Sequence, residues 1–438
     1  MAYTFAELPV ENIAPAPRNA RTHSPAQISQ IVSSIRKFGF TNPLLLDEGK
    51  VIIAGHGRMA AAKKLGLTSV PVILIEGLTE ASKRALAIAD NRIAENAGWD
   101  LDILAAELSA ISELELDFDL EVTGFEAPEI DLLIGDGLAE EEPEPEEVEL
   151  PDADVAEISR KGDIWILGNH RILCGDALVN ESYVRLMGDE RADVGFTDPP
   201  YNVPIHGHVC GGGEIRHREF AQASGEMSSQ EFCKFLEAAF QHASEFSAKN
   251  AVWFACIDWR HIEEMRAAGL RAFGSWLNMC VWAKTNGGMG SLYRSQHELV
   301  FVFRNGRKSH RNNVQLGRFG RNRTNLWTYP GVNTFRKGRL EELRAHPTAK
   351  PVQMVSDALL DVSKRGDVVL DPFSGAGSTL IAAEKSGRFA RSIEIDPAYV
   401  DTTLRRWRAL TGCEPVRLSD GAEFSSLEAG FADAGEGQ

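Results

Sequence analysis

DVVLDPFSGAGSTLIAAEKSGRFARSIEID, residues 367–396, is the stretch whose reading decides the fold. DVVLD (367–371) is a short apolar run of strand length, STLIAAEKSG is a helix ending at Gly387, and ARSIEID is a second strand. Gly375 and Gly377 lie in the loop between the first strand and the helix. They have no Cβ, so the backbone there can turn tightly and approach a ligand, and the free N–H groups opening the helix can bind an anion. Glu394 ends the next strand, about 20 residues on, where a carboxylate accepts hydrogen bonds from ribose hydroxyls. The two features together predict a nucleoside-cofactor site. The glycine spacing departs from the dinucleotide fingerprint, which weighs against NAD.

The same alternation extends backwards. DIWILG and HRILCGD form a hairpin joined at Gly168 and Asn169. ADVGFTD (192–198) and NAVWFAC (250–256) read as strands, with helices in SQEFCKFLEAAFQHASEF and WRHIEEMRAAG. SWLNMCVWAK (275–284) and HELVFVFRN (297–305) are strands, and VQMVSDALLDVSK is a helix. The pattern predicts a mostly parallel, doubly wound α/β sheet with ligands at the carboxyl ends of its strands.

TDPPYN (197–202) sits at one such end. Pro199 and Pro200 stiffen the backbone and leave their carbonyls as free acceptors. Asp198 is a carboxylate acceptor and Tyr201 a flat aromatic with a polar tip. A carboxylate and a rigid carbonyl together accept both hydrogens of an NH₂ group, and an aromatic face beside them can stack on a flipped base. The residues alone leave a rigid polar turn with a buried Tyr equally open.

TDPPYN resembles the catalytic loop of amino-directed DNA methyltransferases, and DPFSGAGSTLIAAEKSGR followed by IEIDPAYV resembles their cofactor loop and ribose-binding strand. HRILCGDAL (with Gly175 and Asp176), VWAKTNGGMGSLYRSQHELVFVFR (with His297 and Glu298), RTNLWTYP and HPTAKPV (346–352) extend the likeness over nearly all of 158–410. HPTAKPV departs from the family, which more often has Gln where Ala349 stands. The resemblance implies a Rossmann-like S-adenosylmethionine-dependent methyltransferase sheet. The catalytic loop precedes the cofactor loop, the permuted order called the beta class, with target recognition between the two at about 286–340. In the implied reaction Asp198 and the Pro199 carbonyl, in the loop Asp198, Pro199, Pro200, Tyr201, hold the amino group, Tyr201 stacks on the base, and methyl transfer is direct. The implied cofactor set is Asp176, Asp371, Phe373, Ser374, Gly375, Gly377, Ser378, Thr379, Glu394 and Lys350. Cytosine-N4 members more often carry Ser at the Asp198 position, so Asp198 points to adenine N6. Transfer to cytosine C5 needs a Pro-Cys nucleophile, and here no Cys follows a Pro.

Charge is unevenly spread. Residues 126–157 hold 14 Asp or Glu and no Lys or Arg, within a net charge of −17. Like-charge repulsion and repeated Pro in EEEPEPEEVELPDAD (140–154) read as a linker. Residues 294–344 hold 12 Lys or Arg against three Glu. This basic block coincides with the implied recognition region and makes Arg304, Arg307, Lys308, Arg311, Arg318, Arg321 and Arg323 candidate contacts to double-stranded DNA. His206, His208, Cys210 and His217 in 203–220 lack the framework of a metal site, so this Gly-rich segment reads as a mobile flap and no metal is expected. The scattered cysteines and the lack of a signal or membrane-length apolar run fit a bacterial or phage cytoplasm, near the nucleoid.

Before the linker, IAGHGRMAAAKKLGLTSVPVI (53–73) and LPVENIAPAPRNARTHS (8–24) resemble a small α+β ParB-like domain. Its helix start at Gly55, Gly57 and Arg58 implies a nucleotide or phosphate contact, with a purely structural role as the alternative. The expected organisation is a ParB-like domain with helical tail at 1–125, a linker at 126–157, a methyltransferase domain at 158–415 and a disordered tail at 416–438. Alternatives to adenine methylation are cytosine-N4 methylation, an RNA target, or a ParB-like DNA- or nucleotide-binding protein with an inactive methyltransferase body. Such pairings are often phage-borne, sometimes with a restriction partner, and permuted relatives are often homodimers.

Overall fold

The computed structural model describes residues 2–112, 114, 117–136, 157–203, 225–285, 287, 292–318, 321–330 and 350–435. The chain forms two compact units, Met1–Glu140 and Glu141–Gln438.

In the first unit, β1 (Ala2–Pro9), β2 (Leu44–Asp47), β3 (Ile52–Ala54) and β4 (Ser69–Glu76) form a sheet in the order β1-β4-β2-β3. Helix α1 (Pro25–Phe38) starts where Ser24 accepts from the Gln27 N–H, with Pro at its first position, and stops at Gly39. Leu44, Leu46, Val70 and Val72 pack with Met59 of α2 (His56–Leu65). Ile53, Ile75 and Leu78 form a second cluster, with Leu86 and Ala87 of α3 (Glu80–Glu95) packed on it. Helices α4 (Leu101–Ser112) and α5 (Ala127–Asp136) follow. Helix α5 corrects the reading of a linker from 126. Ile130 and Ile134 fall at helical spacing and bury against Leu108 and Leu120, and apolar burial on one face outweighs the charge of the other.

The second unit carries one ten-stranded sheet. Its elements are β5 (Ile164–Leu167), β6 (His170–Cys174), α6 (Asn180–Met187), β7 (Ala192–Thr197), α7 (Ser229–Glu245) and β8 (Ser247–Ile257). Next come α8 (Ile262–Phe273), β9 (Gly274–Lys284), β10 (His297–Asn305), β11 (Leu326–Tyr329) and α9 (Val352–Val362). Last are β12 (Val368–Asp371), α10 (Ser378–Ser386), β13 (Phe389–Glu394), α11 (Pro397–Thr411), β14 (Val416–Arg417) and α12 (Phe424–Gly435). The strand order is β11-β9-β10-β8-β7-β12-β13-β6-β5-β14. Only β5 and β10 run against the rest, so the sheet is mixed with a continuous parallel centre of β8, β7, β12, β13 and β6. Successive side chains feed opposite faces: Val252 and Phe254 join one core, Trp253 and Ala255 the other.

The segment read as a disordered tail is structured through Gly435. Val416 and Arg417 pair with Ile166 and Trp165, and Phe424 is fully buried with its ring edge-on to Trp165 at 5.4 Å. One aromatic anchor there outweighs a composition rich in small and acidic residues. Phe424→Ala is expected to cost ~3–5 kcal/mol in chemical denaturation, as for other buried Phe truncations. A change within error would return the segment to the status of a loose tail.

Candidate active site

The carboxyl ends of β6, β13, β12 and β7 lie side by side, with Cys174 opposite Glu394 and Asp371 opposite Ser392. The chain leaves β7 towards β8 on one side and β12 towards β13 on the other, so the order reverses between β7 and β12. A crevice opens at such a reversal. Asp198 follows the end of β7 and Asp371 ends β12.

On the β12–β13 side, Gly377 has φ +82, and a Cβ added there would meet the Thr403 side chain at 2.5 Å. Only Gly allows that close approach. The Gly375 N–H donates to Glu394 Oε2 at 2.7 Å and the Asp396 N–H to Oε1 at 2.9 Å. Each oxygen keeps a second lone pair. Burial pushes the Glu394 carboxyl up to about 7, against those two backbone bonds. Burial likewise pushes Asp371 up to about 7, although the Thr379 hydroxyl and the Phe373 N–H oppose it. The Ser374 hydroxyl is buried and has no hydrogen-bond partner among the described residues. Ser378 and Thr379 are buried at the start of α10, and the half-buried Phe373 ring lies 5.8 Å from Phe235. The Gly175 N–H donates to the Glu394 carbonyl at 2.8 Å, which brings the Asp176 turn beside this loop. Asp176 Oδ1 accepts from the Leu178 N–H at 2.9 Å.

On the β7 side, Asp198 belongs to a charge-balanced network. Lys350 Nζ donates to Asp198 Oδ2 and lies 3.2 Å from Glu298 Oε2. Lys284 Nζ donates to Glu298 Oε1. The Tyr201 hydroxyl lies 2.7 Å from Asp198 Oδ1 and 3.0 Å from Glu298 Oε2, and its one proton serves one carboxylate at a time. Lys284 and Lys350 also sit 4.7 and 5.9 Å from the Trp282 ring centre. Burial tends to push the Glu298 carboxyl up, but Lys350 and Lys284 outweigh it and hold Glu298 at about 2. Burial raises Asp198 above the usual carboxylate range, with Glu298 adding to the rise and Lys350 opposing it. Lys350 stays protonated because Asp198 and Glu298 outweigh its burial.

Lys350 therefore stands between Asp198 of the loop after β7 and Glu298 of β10, whereas the sequence placed it with the cofactor set. Pro199 is buried and Pro200 half-buried. Asn202 (φ +54) accepts from the Gly225 and Met227 N–H groups and donates to the Met227 carbonyl. His206, His208, Cys210 and His217 lie outside the described residues, as do 331–349 of the recognition region and its neighbour.

The arginine candidates are not at this site. Strand β10 runs antiparallel to β8, so Arg304 lies six residues, about 20 Å of strand, from Glu298, opposite Val252. Arg307 and Lys308 are exposed just beyond that end, and Arg318 is exposed as well. Arg311 acts electrostatically on Asp193 and Asp367, near the amino ends of β7 and β12. Arg321 and Arg323 bind Asp361 at 2.8 and 3.1 Å and lie 3.7 and 3.5 Å from Asp357, so they fasten their segment to α9. Sequence reasoning followed charge density and missed Glu298 and Lys284 as parts of the site. The signal for both was the start of β10 and the end of β9, adjacent antiparallel strands that meet at the catalytic end.

In the N-terminal unit, Gly55 has φ +105 and caps α2. Gly57 is buried, with His23 3.0 Å from where its Cβ would stand. Arg58 donates to the Asn42 and Pro43 carbonyls at 2.6 and 2.7 Å, which fixes the turn before β2.

Three family models match the chain: a ParB N-terminal domain at 2–92, a ParB-methyltransferase HTH domain at 102–161 and a DNA methylase at 192–405. The ParB-like nuclease domain-containing protein YnaK of Escherichia coli K12 is 53% identical over 76 residues, 17% of this chain and 87% of that protein. The type II methyltransferase M.ScaI of Streptomyces caespitosus is 36% identical over 90 residues, 20% of this chain but only 30% of its own length. The structure of TTHA0409, described as a DNA modification methylase from Thermus thermophilus complexed with S-adenosyl-L-methionine, aligns at a TM-score of 0.38 and 21% identity over 55% of this chain and 93% of that one. With its crevice between β7 and β12 and its family matches in this order, the chain belongs to the N6/N4 family of DNA methylases and carries ParB and ParB-methyltransferase HTH domains ahead of the methylase.

Proposed function

We propose that this chain is a site-specific DNA methyltransferase that moves a methyl group from S-adenosylmethionine to the N6 amino group of an adenine flipped out of duplex DNA. The observation that carries the reading is the placement of Asp198 at the end of β7, across the strand-order reversal from the Gly375–Gly377 loop and Glu394. The residues present fit the cofactor. The Gly377 turn leaves no room for a Cβ, the Ser374 hydroxyl is buried and unpartnered among the described residues, and both Glu394 oxygens keep a lone pair for sugar hydroxyls. Asp371 and Asp176 flank that position. S-adenosylmethionine supplies an electrophilic methyl group. The chain's own residues orient the nucleophile. Asp198 and the Pro199 carbonyl accept the two amino hydrogens, which keeps electron density on nitrogen. Tyr201 supports the base. Adenine is favoured over cytosine because a carboxylate, and not a hydroxyl, stands at position 198.

Methyl transfer to unmethylated duplex DNA, followed by nucleoside analysis, is expected to place the label in N6-methyladenine. Label in N4-methylcytosine would keep the family and overturn the choice of base. Asp198→Ala is expected to lower turnover about 10²–10³-fold or more, as for loss of a preorganised charged partner, with cofactor binding retained. Unchanged turnover would remove Asp198 from the mechanism. Cofactor affinity carries a sign of its own. Sugar hydroxyls donate more strongly to the ionised Glu394, whose carboxyl burial pushes up to about 7, so affinity rises with pH through about 7 and levels roughly a unit or more above it. Calorimetric titration between pH about 5.5 and 8.5 checks this. Glu394→Gln should bind more weakly and flatten the dependence.

A further inference from the structure

The network around Asp198 holds more than the transfer reaction requires. Lys350 has a side chain only 5% exposed and touches two carboxylates, Asp198 and Glu298. Glu298 in turn is gripped from its other side by Lys284. Three distant segments contribute: the loop after β7, the adjoining ends of β9 and β10, and residue 350 just before α9. A buried ammonium is costly unless it is paired, and two carboxylates that share one tyrosine hydroxyl repel unless a cation stands between them. A fold that needed only a hydrogen-bond acceptor at position 198 would not bury an ammonium beside it and draw four charges together to obtain one.

We propose that Lys350 and Glu298 are a positioning pair for Asp198: the ammonium, held in place by Glu298, aims the Asp198 carboxylate and keeps it negatively charged for the incoming amine. This rests on the reading of Asp198 as the residue that receives the base. Before transfer, an ionised Asp198 accepts an amine N–H. As the nitrogen forms its bond to the methyl carbon, the carbon–sulfur bond breaks and its electron pair leaves with sulfur. The nitrogen then carries one proton too many. That N–H bond breaks, and its proton forms an O–H bond to Asp198, from which it passes to solvent. A neutral Asp198 would accept the N–H more weakly and could not take the proton. The groups facing Asp198 act in opposite senses. Lys350 favours its ionised form, as does the Tyr201 hydroxyl. Glu298, and the carboxylate of Asp371 across the crevice, oppose it. The Cys256 thiol on β8 stays neutral because burial raises it well above its ordinary range.

The two partners therefore predict opposite shifts. Lys350→Met removes the cation, so Asp198 holds its proton to higher pH. The acidic limb of kcat/KM should move up by about one unit or more, the size expected for a partner charge at this range. Glu298→Gln keeps the shape and removes the competing negative charge, so the limb should move down and Lys350 pair more fully with Asp198. A purely structural role would lower activity in both variants and leave both limbs where the wild type has them, and that result would overturn the proposal. Equilibrium binding of S-adenosylmethionine, expected to be unchanged in both, shows that the variants are folded. The same order of titration, Lys350→Met above wild type above Glu298→Gln, can be read without turnover by carbon NMR of carboxyl-labelled aspartate, with Asp198→Asn to assign the signal. That order without transfer to DNA would sink the reading of the base and leave the pair. Transfer to DNA with no order would sink the pair alone.

Discussion

Val194 and Gly195 of β7 pair in parallel with Val369 and Leu370 of β12, although more than half of the unit's sequence separates them. That single ladder depends on two strands buried on both faces, and it sets the strand-order reversal. Without it, the acceptor loop at 197–202 and the glycine loop at 371–377 would not share a crevice. Both loops of the candidate site are attached to the carboxyl side of that pairing, as the geometry of open α/β sheets leads one to expect.

The crevice is lined by acids whose environments push them apart. Glu298, between two ammoniums, is held at about 2, whereas Glu394 and Asp371 are pushed by burial to about 7. Groups of one type therefore differ within one site: Glu298 keeps its charge between two ammoniums, whereas Glu394, Asp371 and Asp198 are raised by burial. The antiparallel return of β10 is what allows this. It brings Glu298 to the catalytic end and carries Arg304 away from it, so one strand supplies a carboxylate to the site and a cation to the far edge.

Cations in the recognition region serve two purposes, and sequence composition does not separate them. Arg321 and Arg323 are bound by Asp361 and face Asp357, two carboxylates one turn apart on α9. These contacts fix the strand β11 that follows. Arg307, Lys308 and Arg318 are exposed, and the first two follow the end of β10 away from Glu298. A positive stretch marks a surface that attracts phosphate in general, but only the fold says which end of the sheet carries it.

Much was legible in the linear chain. Strand, glycine turn, helix and strand over 367–396, the hairpin at Gly168, and the loop 197–202 at a strand end follow from local rules: apolar period, missing Cβ, and proline stiffness. Those rules act over a few residues, so one sequence suffices to apply them. The helix Ala127–Asp136 and the structured segment beyond Arg417 were not legible, because a few buried anchors such as Ile130 and Phe424 decide them against the composition around them. The catalytic-side network was not legible either. Lys350, Glu298 and Asp198 meet only when β7, β10 and the approach to α9 are folded together, and long-range Coulomb pairing leaves no periodic trace in a sequence. The sequence by itself determined the chemistry on offer, its two loops and the order in which they occur. The tertiary structure decided which charges face which, because that depends on strand direction and burial, properties a residue acquires only from its neighbours in space.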